Sequence, residues 1–169
     1  QEVNGARNQA VIENSLSSAI DTGKKGLALS PNNAGNSEAM ALIYENASFY
    51  VQGALEWAEN LYNQAKELSP DSPTPYLRIA LINMARANAE KDKSQQEYYI
   101  NEAIKKYDLA LAKKADFGAA NYGKAIAYER LSKIDDAIEQ LKKAVILTKD
   151  NVDYRFELGR LYFNRGAAN

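Results

Sequence analysis

The strongest constraint on the fold of this chain is a small-large-small pattern of apolar residues that recurs along it. Ala137, Leu141 and Ala144 carry the pattern inside the stretch from Gly118 to Asn151. Two antiparallel helices can approach closely only where side chains are small, and larger apolar residues must fill the space beside those contacts. The same spacing recurs as Ala58, Tyr62 and Ala65, and as Ala103, Tyr107 and Ala110. One helix pair cannot bury its own apolar faces, so the pattern predicts a stack of pairs.

Helical periodicity runs through the chain, and the prolines stand at the predicted helix ends or first turns. The second pair is predicted to open with a helix over residues 38–52, with Ser37 as its N-cap. We divide the chain into a single domain over 1–169, with repeats at about 1–33, 39–72, 73–117 and 118–151 and a terminal helix at 152–166. In the first repeat, a weak helix over 1–13 precedes a better one over 15–29.

The third pair is longer than its neighbours. Ala103 precedes Ala137 by 34 residues but follows Ala58 by 45, which indicates an 11-residue insertion. Shared between two antiparallel helices, the insertion would add about 8 Å to each of them. The predicted protruding tips are residues 86–98.

Composition excludes several classes of function. The 169 residues include 21 basic and 22 acidic side chains, and this near-neutral balance argues against nucleic acid as a partner. No apolar run approaches the roughly 20 residues that a membrane-spanning helix needs. The chain has no Cys and no His, so it lacks thiolate ligands, the commonest metal ligand and the commonest general base. We therefore predict no catalytic residue, no metal site, no cofactor and no enzymatic activity.

One acidic pair has two interpretations. Asp135 and Asp136 could act as paired carboxylates in acid–base chemistry. They also stand at the predicted start of a helix, where carboxylates stabilise free backbone N–H groups. The second interpretation explains them better.

The 34-residue period and its residues resemble the tetratricopeptide repeat. The matching residues are Leu158-Gly159-x-x-Tyr162 and Ala137-x-x-x-Leu141-x-x-Ala144, with Pro31 and Pro70 at the closing proline. The chain departs from the pattern at Lys124, where Leu is usual, and at Ala115 and Lys149, where Pro is usual. The resemblance implies an all-α, right-handed superhelical solenoid of antiparallel helix pairs that binds other proteins.

In this family the first helices of the repeats line a concave groove, and the resemblance implies which residues do so here. These are Met40, Ile43 and Tyr50 in the second repeat, Leu77, Leu81 and Met84 in the third, Tyr122, Ile126 and Arg130 in the fourth, and Phe156, Arg160 and Phe163 in the terminal helix. The set is apolar and aromatic, which indicates a groove for an apolar helix or extended segment of a protein or peptide of unknown identity. The carboxylate-binding version of the groove needs Lys and Asn, and here Arg78 and Arg160 are its nearest candidates. The competing interpretation is that these side chains pack between neighbouring first helices and meet no ligand.

Two further expectations concern the protein beyond this chain. The lengthened third pair also resembles the repeat regions of multi-spanning bacterial membrane proteins of the O-antigen-ligase-like type, which implies a soluble domain tethered to a membrane by another segment. The chain begins with Gln and ends just after a helix, so we expect a piece of a longer protein. Self-association is the second functional class, with Leu158, Leu161 and Tyr162 of the terminal helix exposed and pairing with a second copy in a homodimer.

Overall fold

The computed structural model describes the backbone of residues 2–167 and the side chains of residues 11–167. Gln1, Ala168 and Asn169, at the ends of the predicted domain, lie outside the described residues. The described part contains helices and no strands, which confirms the all-α class. The helices are α1 (Glu2–Leu29), α2 (Ala34–Ala47), α3 (Ala54–Leu68), α4 (Thr74–Ala89), α5 (Lys93–Lys113), α6 (Gly118–Arg130), α7 (Ile134–Leu147) and α8 (Val152–Ala167). They form two compact units, residues 1–70 and residues 71–169.

The first unit corrects two predictions about helix ends. Residues 1–33 do not form a pair of helices, because α1 is one continuous helix of 28 residues. No Pro or Gly separates its predicted halves, and Asn14 and Ser15 lower helix propensity only slightly. Asn33, not Ser37, caps α2: its side-chain oxygen accepts hydrogen bonds from the backbone nitrogens of Gly35 and Asn36, at 2.9 and 3.4 Å.

The α2–α3 pair follows the predicted small-large-small packing. Ala58, Tyr62 and Ala65 are all buried in α3, and the Tyr62 hydroxyl donates a hydrogen bond of 2.8 Å to Glu45 on α2. The helix α2 ends at Ala47 rather than Gln52, and Gly53 turns the chain with a φ of 78°. That backbone conformation favours glycine, since a Cβ would strain it.

The second unit contains the pairs α4–α5 and α6–α7, followed by α8. The predicted close-contact residues of α5 and α7 are fully buried: Ala103, Ala110, Ala137 and Ala144. One core cluster joins α4, α5 and α6, and a second joins α6, α7 and α8. The consequence is that α6 contributes to both clusters and ties the two pairs together.

The insertion in the third pair divides unequally between its helices. The helix α4 has 16 residues and α5 has 21, against 13 in α6 and 14 in α7. About one turn is therefore added to α4 and two turns to α5, rather than one and a half to each. The turn between them lies inside the predicted 86–98 tip, where Asp92 caps α5 by accepting from the backbone nitrogen of Gln95 at 2.9 Å.

One glycine permits the close approach of α5 and α6. Gly123 lies in the middle of α6, and a Cβ added there would come within 2.5 Å of Cζ and 2.6 Å of the hydroxyl of Tyr107 on α5. Real Cβ contacts are longer than this, so the phenol ring occupies the space that a side chain would need. The Tyr107 side chain is itself buried.

This contact predicts that Gly123→Ala destabilises the protein. Alanine favours a helix by about 1 kcal/mol over glycine, but overpacking against Tyr107 costs about 1–3 kcal/mol. The matched control is Gly159→Ala in α8, where nothing lies within 4 Å of the added Cβ and the change should stabilise. Urea unfolding of both variants gives the two free-energy changes. Equal stabilisation by both substitutions would contradict the packing described for Tyr107.

Candidate interaction groove

An open groove of about 570 Å³ lies in the second unit, between the first helices α4 and α6. We call it the α4–α6 groove. Its lining residues are Leu77, Leu81, Met84 and Asn88 from α4, Tyr107 from α5, Ala119, Tyr122, Gly123, Ile126 and Arg130 from α6, and Tyr154 from α8. Most of these side chains are apolar, and the volume is in the range typical of sites that bind small molecules or short peptide segments.

Helical spacing sets the two long walls. Leu77, Leu81 and Met84 are separated by four and three residues, so they form one stripe along α4. Tyr122 and Ile126 are separated by four residues and form the facing stripe on α6. The walls are built on helices that pack in the first core cluster, to which Met84 belongs and against which Leu77 and Ile126 pack.

The floor comes from the second helix of the pair, through the gap that Gly123 leaves. Tyr107 is 1% exposed, and its phenol end lies beside Gly123. Burial raises the pKa of the Tyr107 hydroxyl above its ordinary value of 10.0. The hydroxyl is therefore a protonated hydrogen-bond donor at neutral pH.

The two ends of the groove differ in chemistry. At the carboxyl ends of the helices, the guanidinium of Arg130 donates a hydrogen bond to the side-chain oxygen of Asn88 and bridges α6 to α4. At the other end, the rings of Tyr122 and Tyr154 stack with centroids 4.3 Å apart and planes inclined by 15°. Burial is the main cause of the raised pKa of both hydroxyls, so these tyrosines are also uncharged at neutral pH.

A separate ion-pair cluster holds α8 against α6. Arg160 bonds both carboxylate oxygens of Glu129, at 2.7 and 2.8 Å, and its Nε donates to Glu157 at 2.8 Å. The two carboxylates raise the pKa of the Arg160 guanidinium. Arg160 is therefore occupied within the protein and contributes no free charge to a ligand.

The structure brings together half of the twelve residues predicted for the groove. Leu77, Leu81, Met84, Tyr122, Ile126 and Arg130 all line the α4–α6 groove. Phe156 and Phe163 do not: they are 71% and 76% exposed on α8. The resemblance had also placed Arg160 in this groove, but it lies in the ion-pair cluster with Glu129.

The three residues predicted in the second repeat lie in the first unit. Met40 is 1% exposed, and its sulfur packs against Gly23 of α1, so it belongs to the core and its placement in a groove is wrong. Ile43 lines a hollow of about 550 Å³ between α1 and α2. Tyr50 is exposed in the turn after α2, because that helix ends at Ala47.

The terminal helix corrects another prediction. Leu161 is 1% exposed in the second core cluster, and Leu158 packs against the same cluster. They were expected to be exposed and to pair with a second copy, but α6 and α7 already cover them. Tyr162 is 36% exposed, and its ring contacts the charged ends of Lys142 and Arg165.

The resemblance also implied Ala119, which lines the groove, and it missed four lining residues: Asn88, Tyr107, Gly123 and Tyr154. Tyr107 belongs to a second helix, and the family rule draws the groove from first helices only. Gly123 did carry a signal in the sequence, since a glycine in the middle of a helix costs stability unless packing requires it.

Several kinds of site are not found among the described residues. In that part of the chain, no group of three or more Asp or Glu side chains is placed to hold a metal ion. A search of the helices within the same residues finds none long and apolar enough to cross a membrane.

Comparison with known proteins agrees with this architecture. The family model described as "Tetratricopeptide repeat" matches residues 99–152 and 122–168. A comparison with curated protein sequences finds no match.

Solved structures of tetratricopeptide-repeat proteins are similar over most of the chain. The protein TTC0263 of Thermus thermophilus is 18% identical with a TM-score of 0.75, over 98% of this chain and 84% of that one. MamA from Desulfovibrio magneticus RS-1 is 16% identical with a TM-score of 0.68, over 96% of this chain and 83% of that one.

A third solved structure is the first repeat domain of Spaghetti (RPAP3) bound to the HSP90 peptide SRMEEVD. It is 18% identical with a TM-score of 0.57, over 78% of this chain and 96% of that one. At these identities the structural likeness concerns the fold, while the family model concerns the sequence of the second unit. Residues 99–168 therefore match the tetratricopeptide-repeat family model, and the chain has the fold of the tetratricopeptide-repeat proteins.

Proposed function

We propose that this protein is an interaction scaffold without catalytic activity, and that its α4–α6 groove binds an apolar or aromatic segment of another protein. The observation that carries the proposal is the apolar wall formed by Leu77, Leu81, Met84, Tyr122 and Ile126 around an open volume. The fold is compatible with a binding role, and the side chains that line the groove determine which class of ligand it would bind.

The alternative is that these side chains serve only to pack the first helices together. Packing would fill the space between α4 and α6, since protein interiors leave few voids larger than a water molecule. A volume of about 570 Å³ instead remains open between them, and Leu81 is 37% exposed beside it. Leu77, Met84 and Ile126 also pack in the first core cluster, so the preference for a ligand rests on the open volume and on the exposure of Leu81.

The groove's charge favours an apolar ligand over an acidic one. Among its lining residues Arg130 is the one ionised side chain, and it lies at an end. The solved relative is bound to the peptide SRMEEVD, which contains three acidic residues. The α4–α6 groove has no cluster of cations to match such a peptide, so we propose that the two proteins differ in ligand class.

The walls of the groove are preorganised, which lowers the cost of binding. Both stripes lie on helices, and the floor residue Tyr107 is buried. Ordering of the protein therefore takes little of the binding free energy, and the main entropic cost falls on the ligand.

Leu81→Asp is predicted to weaken binding at least about tenfold, because the carboxylate must be desolvated against apolar ligand groups. The probe is a labelled heptapeptide selected from a random library on the unmodified protein, with affinity measured by fluorescence anisotropy. Tyr122→Asp tests the opposite wall in the same way.

The matched control is Leu109→Asp. Leu109 is 45% exposed on α5 and does not line the groove, so this variant should bind as the unmodified protein does. Circular dichroism establishes that all variants are folded. If Leu81→Asp and Leu109→Asp bind the peptide equally well, the groove is not the binding site.

A second function, self-association, is favoured by one observation on α8. Phe156 and Phe163 are separated by seven residues, lie on the same side of the helix and are both strongly exposed. We propose that this aromatic face pairs with a second copy of the chain, as an assembly module of a larger membrane-associated protein would require.

The expected result is a dimer that forms as concentration rises and that Phe156→Ser with Phe163→Ser abolishes. Sedimentation equilibrium measures both, and the double variant should keep its helical content because neither ring is buried. A monomer at millimolar concentration of the unmodified chain counts against self-association through α8.

A further inference from the structure

The hydroxyl of Tyr107 lies beside Gly123 at the floor of the α4–α6 groove, and no hydrogen bond from it to another described residue is found. Tyr107 is 1% exposed and forms part of the floor of the α4–α6 groove. A ligand that covers this hydroxyl displaces water from it and must supply an acceptor, because a covered donor left unpaired costs free energy. A donor that reaches a groove without an internal acceptor indicates an acceptor on the ligand.

In the α2–α3 pair, the tyrosine at the equivalent position has a hydrogen-bond acceptor within the protein. Tyr62 has the place in α3 that Tyr107 has in α5, between two buried alanines. The Tyr62 hydroxyl donates to the carboxylate of Glu45 at 2.8 Å. The pair α2–α3 therefore supplies its own acceptor.

The pair α4–α5 and the helix α6 do not supply one to Tyr107. The helix α4 contains no Asp or Glu. The carboxylate of α6, Glu129, accepts from Arg160, and the side-chain oxygen of Asn88 accepts from Arg130. These two acceptors are therefore already hydrogen-bonded within the protein.

Geometry explains why the hydroxyl reaches the groove at all. Tyr107 extends from α5 towards the groove past Gly123, where any Cβ would lie 2.6 Å from the hydroxyl oxygen. Because Gly123 has no side chain, Tyr107 of α5 can extend past α6. It then forms the floor of the groove between α4 and α6.

We propose, on the basis of the function proposed above, that the α4–α6 groove binds an extended segment and that Tyr107 donates a hydrogen bond to one of its main-chain carbonyl groups. A bound helix would bring its carbonyl oxygens already paired, whereas an extended segment brings them free. The apolar walls favour a neutral amide carbonyl over a carboxylate, which would cost more to desolvate.

The size of the groove fits such a segment. The α4 stripe from Leu77 to Asn88 rises about 16 Å along the helix. An extended chain advances about 3.3 Å per residue, so about five residues of ligand lie along the groove. The selected heptapeptide is therefore long enough to fill it.

The test combines Tyr107→Phe with amide-to-ester replacement along that heptapeptide. An ester carbonyl is a weaker acceptor than an amide carbonyl. Tyr107→Phe should weaken binding of the parent peptide about three- to tenfold. One ester analogue should lose a similar amount on the unmodified protein and lose little more on Tyr107→Phe, because both changes remove the same hydrogen bond.

Stability separates binding from structure in this experiment. Tyr107→Phe should leave the urea midpoint unchanged or raise it, since the hydroxyl has no internal partner to lose. Tyr62→Phe is the matched control: it should lower the midpoint by removing the hydrogen bond to Glu45 and leave the affinity unchanged.

Two results overturn the inference. If Tyr107→Phe binds every peptide as the unmodified protein does while Leu81→Asp does not, the hydrogen bond is absent and the groove proposal stands. If peptides bound by the groove are helical by circular dichroism and show no coupling to Tyr107 at any ester position, the extended ligand is wrong. Binding that Leu81→Asp leaves intact contradicts the proposed function itself.

Discussion

The second unit depends on close approach between helices, and alanine at a few fixed positions makes that approach possible. Ala103 and Ala110 in α5 and Ala137 and Ala144 in α7 have no exposed surface. A larger side chain at any of them would push two helices apart and open voids beside the tyrosines and leucines that fill the remaining space. Because α6 contacts both α5 and α7, an error in either contact would also move the walls of the groove.

The positions of these alanines could be predicted from the sequence because the pattern depends only on residue spacing along the chain. The spacing of small and large residues fixes which helix faces meet, and all three copies of the pattern proved to be buried. Half of the groove residues followed from the same register. The ends of the helices were harder to predict from the sequence. Asn33 and Ser37 are both good N-caps by composition, and only the backbone path decides between them. The continuous α1 likewise depends on the absence of a strong break rather than on any positive signal.

The floor of the groove was not predictable from periodicity, because it arises from a contact between two different repeats. By its spacing, Tyr107 is a residue that fills the space between two helices. Nothing in the sequence of α5 shows that its hydroxyl reaches the α4–α6 groove. That depends on Gly123, 16 positions further along. One repeat later the corresponding positions hold Leu141 and Glu157, so the tyrosine–glycine combination is particular to the lengthened pair.

The same comparison explains why the groove lies between α4 and α6 rather than between α6 and α8. Between α6 and α8, Arg160 of α8 takes the position that Ile126 has in α6. It pairs with both carboxylate oxygens of Glu129. The Tyr122–Tyr154 stack closes the same interval from its other end. Between α4 and α6, by contrast, α4 presents Leu77, Leu81 and Met84 to the groove, and the bond from Arg130 to Asn88 bridges the two helices at one end. These apolar side chains border an open volume of about 570 Å³, and burying their remaining exposed surface against an apolar ligand would be favourable.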